Sequence, residues 1–340
     1  MKQRKKLLFM TRGKGIIDLF WGPRAEAKAE ELGFEVDMPA RNGDIPDFDF
    51  IPILADYDGL ITSWNSPVCN AELLCHAPNV KVIGHSAGSV AAVVDNSTYQ
   101  FPVRVFTANY VMAEAVAEWS LLATMLAARD FWKYAQWKNA THMEWGGMEQ
   151  LRDLTKLTVG IWGMGDVTRH LLRMFQVLRF NRILVASTHS TSEELAALGA
   201  EKATFEEVFS QSDIIHCLVG ANKENLYRVG KKELASIRNG ATLINCGRAK
   251  LIHEASLLEA LAENRFTAIL DVFHDEPLAE DSPLRKMENV ILTPHNAGYT
   301  GRDRYVPFLL EDFDRAFRGM PTVSEISEKR YQTMTNETIR

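Results

Sequence analysis

Cysteine is scarce in this chain: Cys69, Cys75, Cys217 and Cys246 are the only four in 340 residues, with no CxxC pair among them. Neither a disulfide framework nor a zinc site is expected from such spacing, and the chain reads as reduced, cytoplasmic and free of a bound metal. Cys217 lies in an apolar, strand-like run and reads as a small core residue. His76 beside Cys75 gathers no further ligands and belongs to a surface or half-buried helix, AELLCHA. Positive charge is not in excess either. Lys and Arg number 38 against 44 Asp and Glu, and a formal net charge of −6 argues against a broad nucleic-acid surface. No run supplies the roughly twenty apolar residues of a membrane span. The basic start, MKQRKK, meets Arg12 and Lys14 too soon for the apolar region of a signal peptide. Solenoid-type repeats and low-complexity tracts are also missing.

What is present is alternation. The chain exceeds one comfortable core, so two domains are expected. From residue 6 to about 110, KLLFM, FEVDM, DGLITSW and KVIGHS read as strands, with helices over PRAEAKAEELG and AELLCHA between them. A long helix then begins near Ala113, and beyond it lie Phe131, Trp132, Tyr134, Trp137 and Trp145. So many aromatics predict a buried contact between domains or between subunits, or simple core packing. A second alternating series follows, with strands at LTVGIWG, RILVAS, DIIHCLVG, ATLINCG, TAILDV and NVILTPH. The pattern predicts an α/β protein of two doubly wound parallel sheets. A last helix near 302–318 precedes a polar tail that is either mobile or docked.

The second series opens with GIWGMGDVT. A strand, a tight turn through Gly163 and Gly165, and a helix start would let backbone amides of Met164, Asp166 and Val167 approach a pyrophosphate. Thr168 stands where the fingerprint has its third glycine, which implies a wider helix–strand spacing or an altered helix start. The next strand ends in Ala186, Ser187 and Thr188, with no carboxylate for the adenosine ribose. That absence favours NADP(H) over NAD(H), and the choice between them stays open.

Three later segments, INCGRA, LDVFHDEP and LTPHNAG, each end an apolar run and present a residue able to handle charge: Arg248, Glu276 and His295. An arginine can grip a carboxylate bidentately, a histidine can exchange a proton near neutral pH, and a carboxylate can hold and bias that histidine. With the dinucleotide turn upstream, these are the parts for hydride transfer to a 2-oxo acid.

Together the segments resemble the D-isomer-specific 2-hydroxyacid dehydrogenase family. The resemblance is detailed from AVAEWSLL through HNAGYT and fainter in the first hundred residues. It implies a Rossmann-type NAD(P)-binding domain over 114–302, and a flavodoxin-like substrate domain from 1–113 and 303–340, with the substrate in a cleft between them. The implied reaction interconverts a 2-oxo acid and a D-2-hydroxy acid. Arg248 would anchor the carboxylate and His295 would be the acid–base group, paired with Glu276. Asp271 would lie toward the nicotinamide carboxamide, and Asn222, Cys246 and Gly298 would complete the cofactor set with Ser187 and Thr188. A homodimer is implied as well.

The departures from the family's pattern lie mainly on the substrate side. The loop HSAGSV has Val90 where the family usually has Asp, so backbone amides of Ser86, Ala87, Gly88 and Ser89 are the expected carboxylate donors. Gly220 replaces a usual proline, and Lys250 falls beside the arginine segment. Trp64 either lines the substrate side or packs in the core. A non-catalytic dinucleotide sensor or co-repressor on the same fold is the rival reading.

Overall fold

The structure is a computed structural model of the chain and describes residues 4–132 and 152–334. It divides into two compact units, Met1–Ala113 with Tyr299–Arg340, and Glu114–Gly298. The chain returns to the first unit after Gly298, so Tyr299, Thr300 and Arg302 belong with that unit and not with the second.

The first unit is a parallel sheet of β1 (Lys5–Phe9), β2 (Phe34–Asp37), β3 (Gly59–Thr62), β4 (Val82–His85) and β5 (Arg104–Thr107), in the order β2-β1-β3-β4-β5. Chain order reverses beside β1, as a doubly wound sheet requires. Strands β3 and β4 are buried along their whole length, which is why both read as continuous rather than alternating apolar runs. Helix α1 (Lys14–Phe20) precedes α2 (Pro23–Leu32). The latter has proline in its first turn and closes on Gly33 at φ 74°, a left-handed position that suits glycine. AELLCHA contributes a single turn, α3 (Ala71–Leu74), with the Asn70 side chain accepting from the Leu73 amide at 3.1 Å.

Helix α4 (Asn109–Ala128) carries the division between the units at Ala113 and Glu114. It also corrects the reading that no segment is apolar enough for a membrane span. By length and composition this helix qualifies, with mean hydropathy 1.4 and 44% of the window buried. Its apolarity has a packing cause: Ala117, Ala123, Ala127 and Ala128 enter the core of the second unit. Beyond it, Phe131 is exposed and Trp132 packs partly against the same core, whereas Tyr134, Trp137 and Trp145 lie outside the described residues.

Seven parallel strands make the second sheet: β6 (Thr158–Trp162), β7 (Arg182–Ala186), β8 (Glu201–Lys202), β9 (Ile214–Cys217), β10 (Thr242–Asn245), β11 (Thr267–Leu270) and β12 (Val290–Leu292). Their order is β12-β11-β10-β9-β6-β7-β8. The helices are α5 (Asp166–Phe175), α6 (Ser192–Ala196), α7 (Phe205–Gln211), α8 (Lys231–Ser236) and α9 (Glu254–Ala262). Reciprocal capping boxes, Thr191 with Glu194 and Thr204 with Glu207, start α6 and α7. Strand β8 has two exposed residues and leaves no periodic trace in the sequence.

The chain then re-enters the first unit as α10 (Tyr305–Phe317), burying Val306, Leu309, Leu310 and Phe313 against that sheet. The polar tail docks as far as residue 334. Glu325 bridges Phe106 and pairs with Arg104, Ile326 is buried, and α11 (Glu328–Thr333) follows.

Two histidines are buried without charge. Burial pushes His85 down to about 4 and His216 down to about 3, from an ordinary 6.5. Thr62 Oγ1 lies 3.1 Å from His85 Nδ1, and Thr124 Oγ1 lies 2.9 Å from His216 Nε2. Each ring binds its proton more weakly folded than unfolded, so each stabilises the fold above pH 6.5 and loses that contribution as pH falls toward its folded value. Urea unfolding between pH 7.5 and 4 is expected to show a loss on the order of 3 kcal/mol from His85 alone. A His216→Gln variant should show a shallower pH slope than the parent; an identical slope would remove that residue from the account.

Candidate active site

The glycine-rich turn follows β6. Gly163 sits at φ 110°, and a Cβ there would lie 2.7 Å from the Leu218 carbonyl oxygen and the Val219 nitrogen, so no other residue fits. Gly165 is different: a Cβ would meet nothing within 4 Å. It opens α5, and no side chain caps that helix start. The first-turn amides of a helix lack intrahelical partners, and here they follow directly on the tight turn at Gly163 with open space beside Gly165. That combination fits a pyrophosphate. Thr168 is buried and donates its hydroxyl to the Gly163 carbonyl at 3.0 Å, so the residue in the third glycine's place closes the turn with a hydrogen bond.

At the end of β7, Ser187 Oγ accepts from the His189 amide at 3.2 Å and lies 3.4 Å from Ser190 Oγ. Thr188 and His189 are exposed. Lys202, paired in register with Val185, brings its ammonium to the Ser190 carbonyl at 2.8 Å. This cation was invisible in the sequence because only the β7–β8 register places it beside that loop. Asn222 uses its side-chain oxygen locally, accepting from the amides of Glu224 and Asn225 at 3.0 and 3.1 Å. Cys246 is buried, 3.3 Å from Ser120 Oγ, and burial pushes its thiol up to about 12, so it lines the sheet end without reactivity.

Arg248, Asp271 and His295 follow the carboxyl ends of three neighbouring strands, β10, β11 and β12. Open α/β sheets bind ligands along that edge. Asn245, which sequence reading passed over, shapes the arginine turn: its amide nitrogen donates to the Arg248 carbonyl at 3.1 Å and its oxygen accepts from Gly247 at 3.2 Å. A Cβ on Gly247 would lie 2.7 Å from the Cys217 carbonyl oxygen, so the turn also depends on that glycine. Arg248 is half-buried and donates from Nη1 to the Gly247 carbonyl at 2.8 Å. Lys250 is exposed.

His295 and Glu276 are brought together, with Nδ1 to Oε2 at 2.7 Å. The other carboxylate oxygen of Glu276 accepts from the Phe273 amide at 3.0 Å, which fixes the carboxylate plane. With Nδ1 committed, Nε2 is the nitrogen left for proton exchange. His295 itself holds φ 51°, a left-handed conformation rare outside glycine. Asp271 maintains it. This fully buried carboxylate accepts from Thr293 Oγ1 at 2.6 Å and from the amides of Asn296 and Ala297 at 2.9 Å each, bracketing the histidine on both sides. Gly298 comes directly after this bracket. Among the described residues no group of three His, Cys, Asp or Glu side chains is placed to hold a metal.

The sequence model described as "D-isomer specific 2-hydroxyacid dehydrogenase, NAD binding domain" matches residues 121–297, more than half of the chain. The chain belongs to that family. It is an NAD(P)-dependent oxidoreductase of the D-2-hydroxyacid dehydrogenase class. A glyoxylate reductase of Korarchaeum cryptofilum is 28% identical over 306 residues, covering 87% of this chain and 90% of the relative. A phosphoglycerate oxidoreductase from Rhizobium etli superposes with TM-score 0.79 at 25% identity, covering 96% and 99% of the two chains. A D-isomer specific 2-hydroxyacid dehydrogenase from Xanthobacter autotrophicus Py2, solved with NADPH and MES, shares the fold with TM-score 0.76 at 22% identity, over 97% and 100%.

In this member of the family, the loop carrying His295 depends on Asp271. Asp271→Ala leaves two amides and one hydroxyl without their acceptor and should cost on the order of 3 kcal/mol in urea unfolding, against about 1 for Thr293→Val. Amide hydrogen exchange at Asn296 and Ala297 should accelerate in Asp271→Ala while the strand amides of β6 stay protected. Equal acceleration throughout would mean that Asp271 is not a local clamp.

Proposed function

We propose that the chain catalyses reversible reduction of a 2-oxo acid to a D-2-hydroxy acid, with His295 and Glu276 as the acid–base pair and Arg248 as the carboxylate anchor. The observation that carries this reading is the 2.7 Å contact between His295 and Glu276 on a loop held in a left-handed conformation. When bound, the reduced dinucleotide supplies a hydride. Arg248 grips the substrate carboxylate and draws electron density from the adjoining carbonyl. His295 donates its Nε2 proton to the carbonyl oxygen as the carbon is reduced, and takes it back in oxidation. Glu276 orients the ring through Nδ1.

Met164, Gly165, Asp166 and Val167 would offer the helix-start amides to the pyrophosphate. Ser187 and Thr188 would meet the adenosine ribose, with Asn222, Cys246 and Gly298 around the rest of the dinucleotide, while the fully buried Asp271 would act from behind by holding the His295 loop. The lack of a carboxylate after β7, together with Lys202 near Ser190, supports a preference for NADP(H). In the first unit, the Ser86 amide and hydroxyl are both engaged with the Thr62 carbonyl, at 2.8 and 3.1 Å. The Ser89 hydroxyl accepts from the Ala91 amide at 3.3 Å, so the backbone of Ala87 and Gly88 is the stronger candidate within this loop to hold an acid. This reading carries with it a cytoplasmic homodimer without nucleic-acid or membrane partners.

With an accepted substrate, His295→Ala should lower kcat by about two to four orders of magnitude and leave the cofactor Kd unchanged. Arg248→Ala should weaken oxamate binding by about tenfold or more. Full turnover in both variants would sink the mechanism. Fluorescence titration should give a lower Kd for NADPH than for NADH; a much tighter NADH complex would reverse the cofactor assignment.

A further inference from the structure

The first unit holds a buried cation that none of the roles above uses. Arg302 is 8% exposed, and its Nη1 is out of solvent with no hydrogen-bond partner among the described residues. No carboxylate among those residues lies within ion-pair distance of it. Its surroundings are aromatic: the guanidinium carbon is 3.2 Å from the ring centre of Tyr299, 5.2 Å from Trp64 and 5.9 Å from Phe20. Ring faces compensate a buried guanidinium only in part, and an unpaired charge out of water remains costly. An anion would complete such a group.

The position of the cluster says where that anion comes from. Trp64 follows β3, and its carbonyl is tied to the end of β1 through Thr11 Oγ1 at 3.2 Å. Ala87 and Gly88 follow β4, the neighbouring strand, with Thr62 and His85 in register. Both features therefore lie on the carboxyl edge of one sheet, one to two strand spacings apart, about 5–10 Å. Trp64 and Tyr299 are 44% and 56% exposed, so aromatic rims stand open around a buried charge. Ser63, between β3 and Trp64, has a buried hydroxyl without a partner among the described residues.

We propose that Arg302, walled by Trp64, Tyr299 and Phe20, is a specificity-determining residue that takes a second anionic group at the far end of the substrate. The preferred substrates are then 2-oxo acids ending in a carboxylate or a phosphate. This rests on the reading that the Ala87–Ser89 loop holds the 2-oxo acid. The planar fork of arginine suits either terminal anion, and a neutral end of the same length leaves the cation uncompensated.

The test compares kcat/KM for matched pairs: 2-oxoglutarate against 2-oxohexanoate, and phosphohydroxypyruvate against hydroxypyruvate. The two pairs separate a carboxylate from a phosphate terminus. In at least one pair the parent should favour the member with the second anionic group by about tenfold or more, and Arg302→Gln should abolish that preference through KM, with the member lacking that group changed less than about threefold. Equal use of the two members of both pairs by the parent, or an equal loss for both in Arg302→Gln, would make Arg302 a structural cation and overturn the proposal. Should Arg302→Gln fail to fold, Arg302→Lys keeps the charge without the fork and should lower the same ratio; an unchanged ratio counts against the proposal. If no 2-oxo acid is reduced at all, quenching of tryptophan fluorescence by glutarate and by inorganic phosphate still reads the site. Saturable quenching that is lost in Arg302→Gln supports the anion site while rejecting the catalytic reading. No quenching difference between parent and variant rejects the anion site as well.

Discussion

A single buried carboxylate holds the loop on which the proposed chemistry rests. Asp271 has no exposure to solvent and accepts three hydrogen bonds, two from consecutive backbone amides and one from a threonine hydroxyl. A charge in that position is tolerable only because every donor around it is aimed at it. In return, the chain after β12 turns sharply enough to hold His295 at φ 51° with Nδ1 on Glu276. The first unit repeats the device. Asp312, also buried, accepts from the amides of Val323 and Ser324 and from the Ser324 hydroxyl, and so ties the tail back onto its sheet.

The remaining site groups follow from parallel-sheet geometry. Strands that all run one way bring all their carboxyl ends to one edge, so residues far apart in sequence arrive side by side. Arg248, Asp271 and His295 are neighbours in this sense because β10, β11 and β12 are adjacent, and the glycine turn joins the same edge after β6. The tight places are occupied by glycine where a side chain would strike backbone, at Gly163 and Gly247. The open place, Gly165, is where a ligand has room.

Much of this was legible in the sequence because strand-ending residues announce themselves: an apolar run stops and a charged or glycine residue follows. NCGR, DVFHDEP and TPHNAG were readable for that reason, as was the alternation behind both sheets. Residues that act through register were not. Lys202 reaches the loop after β7 only by pairing beside Val185, and Asn245 acts through a turn whose partners are backbone atoms. Nothing in the sequence singles out Arg302, because only tertiary packing buries it among aromatic rings. Thr168 stands where the fingerprint has its third glycine, and its role was hidden because it acts through a hydroxyl that closes the turn onto the Gly163 carbonyl. The apolarity of α4 was underestimated because its small residues serve packing and spread hydropathy evenly along twenty residues.

The most direct test of the catalytic account is to mix the protein with reduced dinucleotide and a panel of small 2-oxo acids, following nicotinamide absorbance and identifying the product by chiral chromatography. The account predicts oxidation of the cofactor with stoichiometric formation of a D-2-hydroxy acid from at least one member of the panel. Tight cofactor binding with no oxidation by any acid, or formation of the L-isomer, would contradict it.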